Sequence, residues 1–547
     1  MRLYHVIGFS IALTGASIRP LAAQAEHQHG GAPPERLGRV EFKTTCSPVA
    51  QRLFDRGLAL LHSFWYEEAG RAFADVARVD AGCAVAHWGR AMSLLHPLWV
   101  PPPSADARDG LAEAEQAVQL SKGGTRERGY AEAIATFYRG YDGSNFRTRL
   151  EAYESAMDAL AARYPKDEEA RIFHALSLIA VGQLDPADTT YARQRRAAAI
   201  LEPLFRKTPT HPGLAHYLIH AYDYPSLAAG GVPAANRYAA IAPSVPHAQH
   251  MPSHIYTRVG IWDSSIAANR RSAEAGRAFE QRQHIASLWD QRGHALDYLV
   301  YAYLQEGRDR EAKAIVDDVA RVGEGYPANS LTNDYALAAM PARYLLERGR
   351  WAEAGRLLIR SAPTWRATEA LTHFARALGA ARTGDSAVAR AEVDTLQLLE
   401  TALAKGGQQG YDWTTQVRIQ RLAASAWLAK LAGDTAGSIE QARAAAELED
   451  ITPKHPVTPG ALLPARELYA DLLLELGRIS EAREAYDRAL ARQPNRARSL
   501  FGAARAAEQA GDRAAARRRY QELEKLLAGG DGDRPELAQA RKALAMQ

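Results

Sequence analysis

The chain has 547 residues, 47% of them hydrophobic and 24% charged, with 67 basic against 63 acidic side chains. This length exceeds one compact core and calls for several domains or a repeat array, while the apolar fraction excludes global disorder. A net charge of +4, interspersed along the sequence, argues against nucleic acid or an anionic membrane as the main partner.

The first residues read as a targeting segment. Arg2 precedes an apolar stretch from Val6 to Ile18, and Ala23-Gln24-Ala25 supplies a small-x-small cleavage site. The apolar run is too short to span a bilayer, so stable membrane insertion is not expected. Residues 1–25 are expected to be a signal peptide, and the mature chain to be exported, periplasmic or secreted. Residues 26–40 look like a flexible lead-in; His27 and His29 within it read as a solvated tail. Only two cysteines follow, Cys46 and Cys83, flanking the first predicted hairpin. In an oxidising compartment they are expected to form a structural disulfide.

From residue 41 to 450 the pattern is helical, with Gly and Pro punctuation between amphipathic segments. RGLALLHSFWYEEAGRAF carries Gly57, Ala69 and Phe73 at spacings of 12 and 4, and YAYLQEGRDREAKAIV and YLLERGRWAEAGRLL each place a Gly-x-x-x-x-Ala turn between two helices. Residues 97–112 and 451–464 form Pro-rich excursions, the second separating the long middle section from a C-terminal pair, 465–526. In that pair Ala470, Gly477, Ala482 and Tyr486 recur as Ala504, Gly511, Ala516 and Tyr520, every offset being 34. Small residues let the two helices approach, the glycine closes the turn, and the aromatic fills the gap to the next repeat. Residues 527–547 read as a capping helix or tail.

This grammar resembles the tetratricopeptide repeat, including Pro494 where that family ends its second helix. The resemblance covers most of residues 48–526, weakest across 97–260. It implies an all-α fold, a right-handed α-solenoid with irregular Pro-rich excursions, whose concave face takes a peptide or protein partner. HWGRAMSLLHPLW, HMPSHIYTRVGIW and ALDYLVYAYLQEG also look like a group of exported bacterial proteins with these repeats.

The repeat grammar lapses in residues 211–260, which hold six of the chain's 17 histidines. Local rules tend to fail at functional sites. His216 and His220 are four apart and share a helix face, with Asp223 further along it. His250 and His254 repeat the spacing around Pro252, which suits a helix start, and His247 is expected on the incoming loop. A Pro/Gly-rich loop is expected to join the two pairs. If the pairs converge, His216, His220, His250 and His254 form a metal site, with His247, His211 and His294 in reserve. Asp223 is also counted among the candidate ligands, and either it or Asp297, three residues after His294, serves alternatively as an outer partner or proton acceptor.

Tyr-Leu-Ile and Met-Pro-Ser separate the paired histidines, so the H-E-x-x-H mechanism is excluded there. No nucleophile elbow, P-loop or dinucleotide fingerprint occurs. Imidazole-rich ligand sets favour copper or zinc over magnesium or calcium, and paired imidazoles are what dinuclear copper sites use. Two functional readings stay open. One is an exported scaffold holding a partner, with Tyr217, Tyr222, Tyr224 and Tyr256 as contact residues; the other is a copper- or zinc-dependent enzyme on the same solenoid.

Overall fold

A computed structural model describes residues 35–185, 188–322, 324–360, 365–406 and 410–546. The expected signal peptide and most of the lead-in, with His27 and His29, lie outside the described residues.

Helices Pro48–His62 and Tyr66–Val79 open an array of helical hairpins. Ser47 caps the first by accepting from the Ala50 amide at 3.4 Å, with Pro48 pre-set for the first turn. The second buries Ala69, Phe73 and Val76 along one stripe. Between them Phe64 takes a left-handed backbone, φ +54°, rare for a bulky side chain. The disulfide Cys46–Cys83 ties the residue just before the first hairpin to the residue that precedes helix Ala84–Ser93.

The C-terminal repeats show why the 34-residue period folds as it does. Helices Ala465–Glu475 and Ile479–Arg492 are followed by Ala497–Gln509 and Arg513–Leu527. Gly477 and Gly511 close the two turns at φ +74° and +77°, a region that L side chains rarely adopt. The Tyr486 ring fills the space over Gly502 of the next repeat, where an added Cβ would come within 2.2 Å of it. Its hydroxyl donates to Asp471 at 2.5 Å. The chain is thus an all-α solenoid of tetratricopeptide-like hairpins. Among the described residues the only strand pairing is a two-residue parallel one, Leu288–Trp289 with Gly325–Tyr326.

Two segments depart from the sequence expectation. The Pro/Gly-rich stretch after His220 is a helix, Ala228–Ile241, with Pro233 inside it. Tertiary packing overrides propensity here, because a Cβ at Gly231 would lie 2.5 Å from the Ile255 side chain. Only the absence of side chains lets the helix approach so closely. The first Pro-rich excursion is also shorter than expected, since helix Ser104–Leu120 starts directly after Pro103.

The C-terminal repeats pack back onto the middle of the chain. Trp262 donates to the Asn495 carbonyl at 2.8 Å, and Asn495 donates to that of Gly260 at 3.1 Å. Arg496, 1% exposed, pairs with Glu347 at 2.7 Å and with Glu467 at 2.7 Å. This return brings the irregular segment 452–464 across the histidine region.

Replacing Arg496 by Met leaves Glu347 without this partner in the interior. Such a change is expected to cost about 3–5 kcal/mol, read as a lowered denaturation midpoint. Arg488→Met, which removes a solvent-exposed pair with Glu484, is expected to move stability by no more than about 0.5 kcal/mol.

Candidate metal centre

Four helical segments deliver the six central histidines. Helix Pro212–Tyr222 carries His216 and His220 one turn apart. The short helix Pro246–His250 carries His247 and His250, and helix Pro252–Val259 carries His254. Pro252 interrupts the amide ladder between them, so this one segment presents rings on two sides. Helix Asp290–Gln305 adds His294.

The rings form two adjacent triads, each with its three ligand nitrogens within 4.8 Å of one another. His216 and His220 are joined by His247, and His250 and His254 by His294. His220 and His254 face each other across the two groups with ring centres 6.0 Å apart, as do His247 and His250.

Proton positions follow from the partners. His250 Nδ1 lies 2.5 Å from Asn269 Oδ1, whose amide nitrogen donates to the Ser265 carbonyl and so fixes the oxygen toward the imidazole. His254 Nδ1 lies 2.9 Å from Asp223 Oδ2, an acceptor. Both Nδ1 atoms therefore carry their proton, and both Nε2 atoms are left as bare lone pairs. These lone pairs face each other at 3.0 Å. In the other triad His216 Nδ1 donates to the His62 carbonyl at 2.7 Å, and its bare Nε2 faces His220 Nε2 at 3.2 Å. His247 Nδ1 faces Gln291 Oε1 at 3.1 Å.

Burial holds His216, His220, His250 and His294 well below the ordinary imidazole value and pushes His247 down to about 3. Protonation is thus opposed as a way to relieve the facing lone pairs. His247 Nε2 and both ring nitrogens of His294 are buried without a hydrogen bond, the Val457 backbone lying beside the latter. A transition-metal ion fits this donor set. With metal–nitrogen bonds of ~2.0 Å, nitrogens 3.0–3.2 Å apart subtend roughly 95–105°, near tetrahedral. Neutral imidazoles that donate their other N–H to a carbonyl or carboxylate are the usual form of histidine ligands.

A nearby cluster shows the contrast. His62 and His211 each place Nε2 2.9 Å from one oxygen of Glu169. His62 Nδ1 accepts from the Tyr217 hydroxyl at 3.0 Å, and His211 Nδ1 accepts from the Leu214 amide at 3.4 Å. Every proton there has a place, so the network is complete without a cation. His87 pairs with Glu113, and His96 stacks on Tyr66.

Aromatic side chains surround the triads. Phe64, held by its left-handed turn, packs on His216, His220 and His247 with ring centres 4.3 to 6.0 Å away. Tyr238 stacks on His216 at 5.1 Å, and Tyr298 lies 4.7 Å from His250. Trp99 meets His247 and His294 edge to face. The 452–464 segment completes the enclosure, for Tyr298 donates to the Thr458 carbonyl at 3.1 Å.

The single four-histidine site expected from the sequence is therefore divided into two groups, each completed by a residue held in reserve. His247 lies on a short helix instead of a loop, and His211 belongs to the Glu169 network. Asp223 stands behind His254 and outside both triads, because Arg258 at 2.8 Å and Lys454 at 2.9 Å draw its carboxylate away. Burial pushes that carboxyl up, yet Lys454, Arg258 and His254 together hold it well below the carboxylate range. Asp297 pairs with Arg343 at 3.2 Å. Asn269, Gln291, Phe64 and Lys454 escaped the sequence reading. Only the doubled Pro-rich breaks hinted at the covering segment.

No protein-family model matches the chain, and no curated protein matches it. Among solved structures, yeast Tom70 aligns over 91% of this chain and 96% of its own, at 11% identity and TM-score 0.35. The human IFIT1 dimer aligns over 89% and 91%, at 13% and 0.37. A tetratricopeptide repeat protein from Parabacteroides merdae aligns over 56% and 98%, at 12% and 0.30.

Asp223→Asn keeps an acceptor for His254 but removes the charge that offsets Lys454 and Arg258. Metal affinity is expected to fall about 10- to 100-fold, measured by competition with a chromophoric chelator, with helical content unchanged in circular dichroism.

Proposed function

We propose that this chain is an exported metalloprotein with a dinuclear centre, three imidazoles to each ion, and that the metal is copper. The observation that carries the reading is the pair of bare Nε2 atoms of His250 and His254, 3.0 Å apart, buried and without a proton between them. A cation between them turns a repulsion into two bonds.

Copper is favoured by charge as well as by donor type. Six neutral imidazoles suit copper or zinc. The cage holds no carboxylate, and Asp223 is already offset by Lys454 and Arg258. Burying two dications there without counter-charge is costly, whereas two Cu(I) ions bring half the charge. Three ligands per ion leave a position open, the mark of catalytic rather than structural sites. A copper pair supplies two electrons in all for exchange with dioxygen or an organic molecule, which points to an oxidoreductase.

The protein's own residues keep that chemistry contained. Phe64, Tyr238 and Tyr298 exclude water, and Asp223, Asn269 and the His62 carbonyl hold the Nδ1 protons so that each Nε2 stays free to bind. A partner-binding role for the solenoid rests on the fold class, since repeat arrays use their concave surfaces to bind. Tyr217 and Tyr224 are buried, and Tyr222 and Tyr256 spend their hydroxyls on Glu202 and Asn236. Among the described residues no helix is long and apolar enough to cross a membrane.

Protein purified without a histidine tag from copper-replete cells is expected to hold two copper ions per chain by elemental analysis. His220→Ala and His294→Ala are each expected to lower this to about one, and His211→Ala to leave it at two. Less than a tenth of an equivalent after reconstitution sinks the reading; two equivalents of zinc and no copper sink the choice of metal. Intact-mass measurement of the exported chain is expected to place its first residue at Glu26.

A further inference from the structure

A groove opens over Trp99, the indole whose ring also meets a histidine of each triad. Trp99, Trp365, Tyr411 and Trp413 line it, with Arg366 at the rim. Ala367, Tyr411 and Trp413 continue into a second cleft lined by Arg258, Lys454 and His455. The aromatic wall is continuous, for His455 lies 5.1 Å from both Tyr411 and Trp413 and 6.1 Å from Trp99. Burial pushes the His455 imidazole down to about 3, so this wall carries no charge from it.

Trp99 is the floor. Its ring centre is 6.3 Å from His247 and 5.8 Å from His294, one member of each triad. A molecule resting on the outer part of Trp99 is thus one indole away from both groups of nitrogens. Trp99, Trp365 and Trp413 are only half-buried. Half-exposed indoles gathered in one concavity offer flat faces for stacking.

The charges select the other end of the ligand. Arg366 starts helix Arg366–Thr383 and, among the described residues, makes no ion pair or hydrogen bond. Most arginines lining the protein's clefts are spent: Arg258 on Asp223, Arg492 on Asp450. The groove's one carboxylate among the described lining residues, Asp412, is turned inward to cap its helix, accepting from the Thr415 amide at 3.0 Å and hydroxyl at 2.7 Å. Deeper in, Lys454 and Arg258 together exceed the single charge of Asp223. A guanidinium without a partner among the described residues, set beside aromatic rings, suits a carboxylate in a two-pronged contact.

We propose that this groove is a substrate site for a small aromatic acid, its ring stacked among Trp99, Trp365 and Trp413 and its carboxylate on Arg366. The proposal takes from the preceding reading only that the triads are the reactive centre. Binding itself needs no metal.

The test is calorimetric titration of the full chain, metal-free and copper-loaded, with 3-phenylpropanoate as probe. Saturable binding at one site is expected in both forms. Arg366→Gln, an exposed position that leaves the fold untouched, is expected to weaken it by about tenfold or more. The alcohol 3-phenylpropan-1-ol and the saturated 3-cyclohexylpropanoate are each expected to bind about tenfold more weakly than the probe, which isolates charge and ring in turn. Absence of saturable binding, full retention in Arg366→Gln, or equal affinity for the cyclohexyl acid overturns the proposal. Probe binding in a chain that never loads metal removes the dinuclear centre and leaves the groove; copper loading with no probe binding does the opposite.

Discussion

Everything specific to this protein depends on burying neutral imidazoles with their free nitrogens turned inward. A buried polar atom without a partner costs on the order of 1–3 kcal/mol, and here several such atoms share a small volume. His250 and His254 are the extreme case, because Asn269 and Asp223 take the protons that would otherwise lie between them. The fold thus spends hydrogen-bonding capacity outside the His216, His250 and His254 rings to leave the inner nitrogen of each bare. Interiors selected only for stability satisfy such atoms instead.

The Glu169 network makes the contrast within the same molecule. His62 and His211 are as deeply buried, but unlike the triads they surround an anion, the Glu169 carboxylate. Their protons and lone pairs alternate without conflict, and the carboxylate removes any need for a cation. His62 nevertheless serves the centre through its backbone, since its carbonyl fixes the His216 ring. Two clusters of the same residue type therefore differ in role by where their protons sit.

The solenoid supplies what a bundle of this size could not easily give, namely two covers brought from far along the chain. Phe64 comes from the first hairpin and Lys454 from a segment some 390 residues later, both touching one histidine group or its partner. The return of the C-terminal repeats, anchored by Arg496 and Asn495, holds that second cover in place. Repeats contribute rigidity here, and the breaks in the repeat contribute the site.

Local regularity was legible in the sequence. The 34-residue offset, the turn glycines and the alternating small residues determine helical hairpins, because those features act between neighbours within one or two repeats. The H-x-x-x-H pairs likewise announced shared helix faces at His216/His220 and His250/His254. Which pair takes which third histidine was decided only by tertiary structure: His247 and His250 leave one short helix toward different groups, and His294 arrives from the following hairpin. The helix Ala228–Ile241 was hidden for a related reason, since Gly231 favours it only once Ile255 is pressed against it. Asp223 looked like a ligand by spacing and became a support because Lys454, distant in sequence, reaches its carboxylate. Periodicity carries information over tens of residues, whereas the position of a proton depends on which distant acceptor the fold sets beside it.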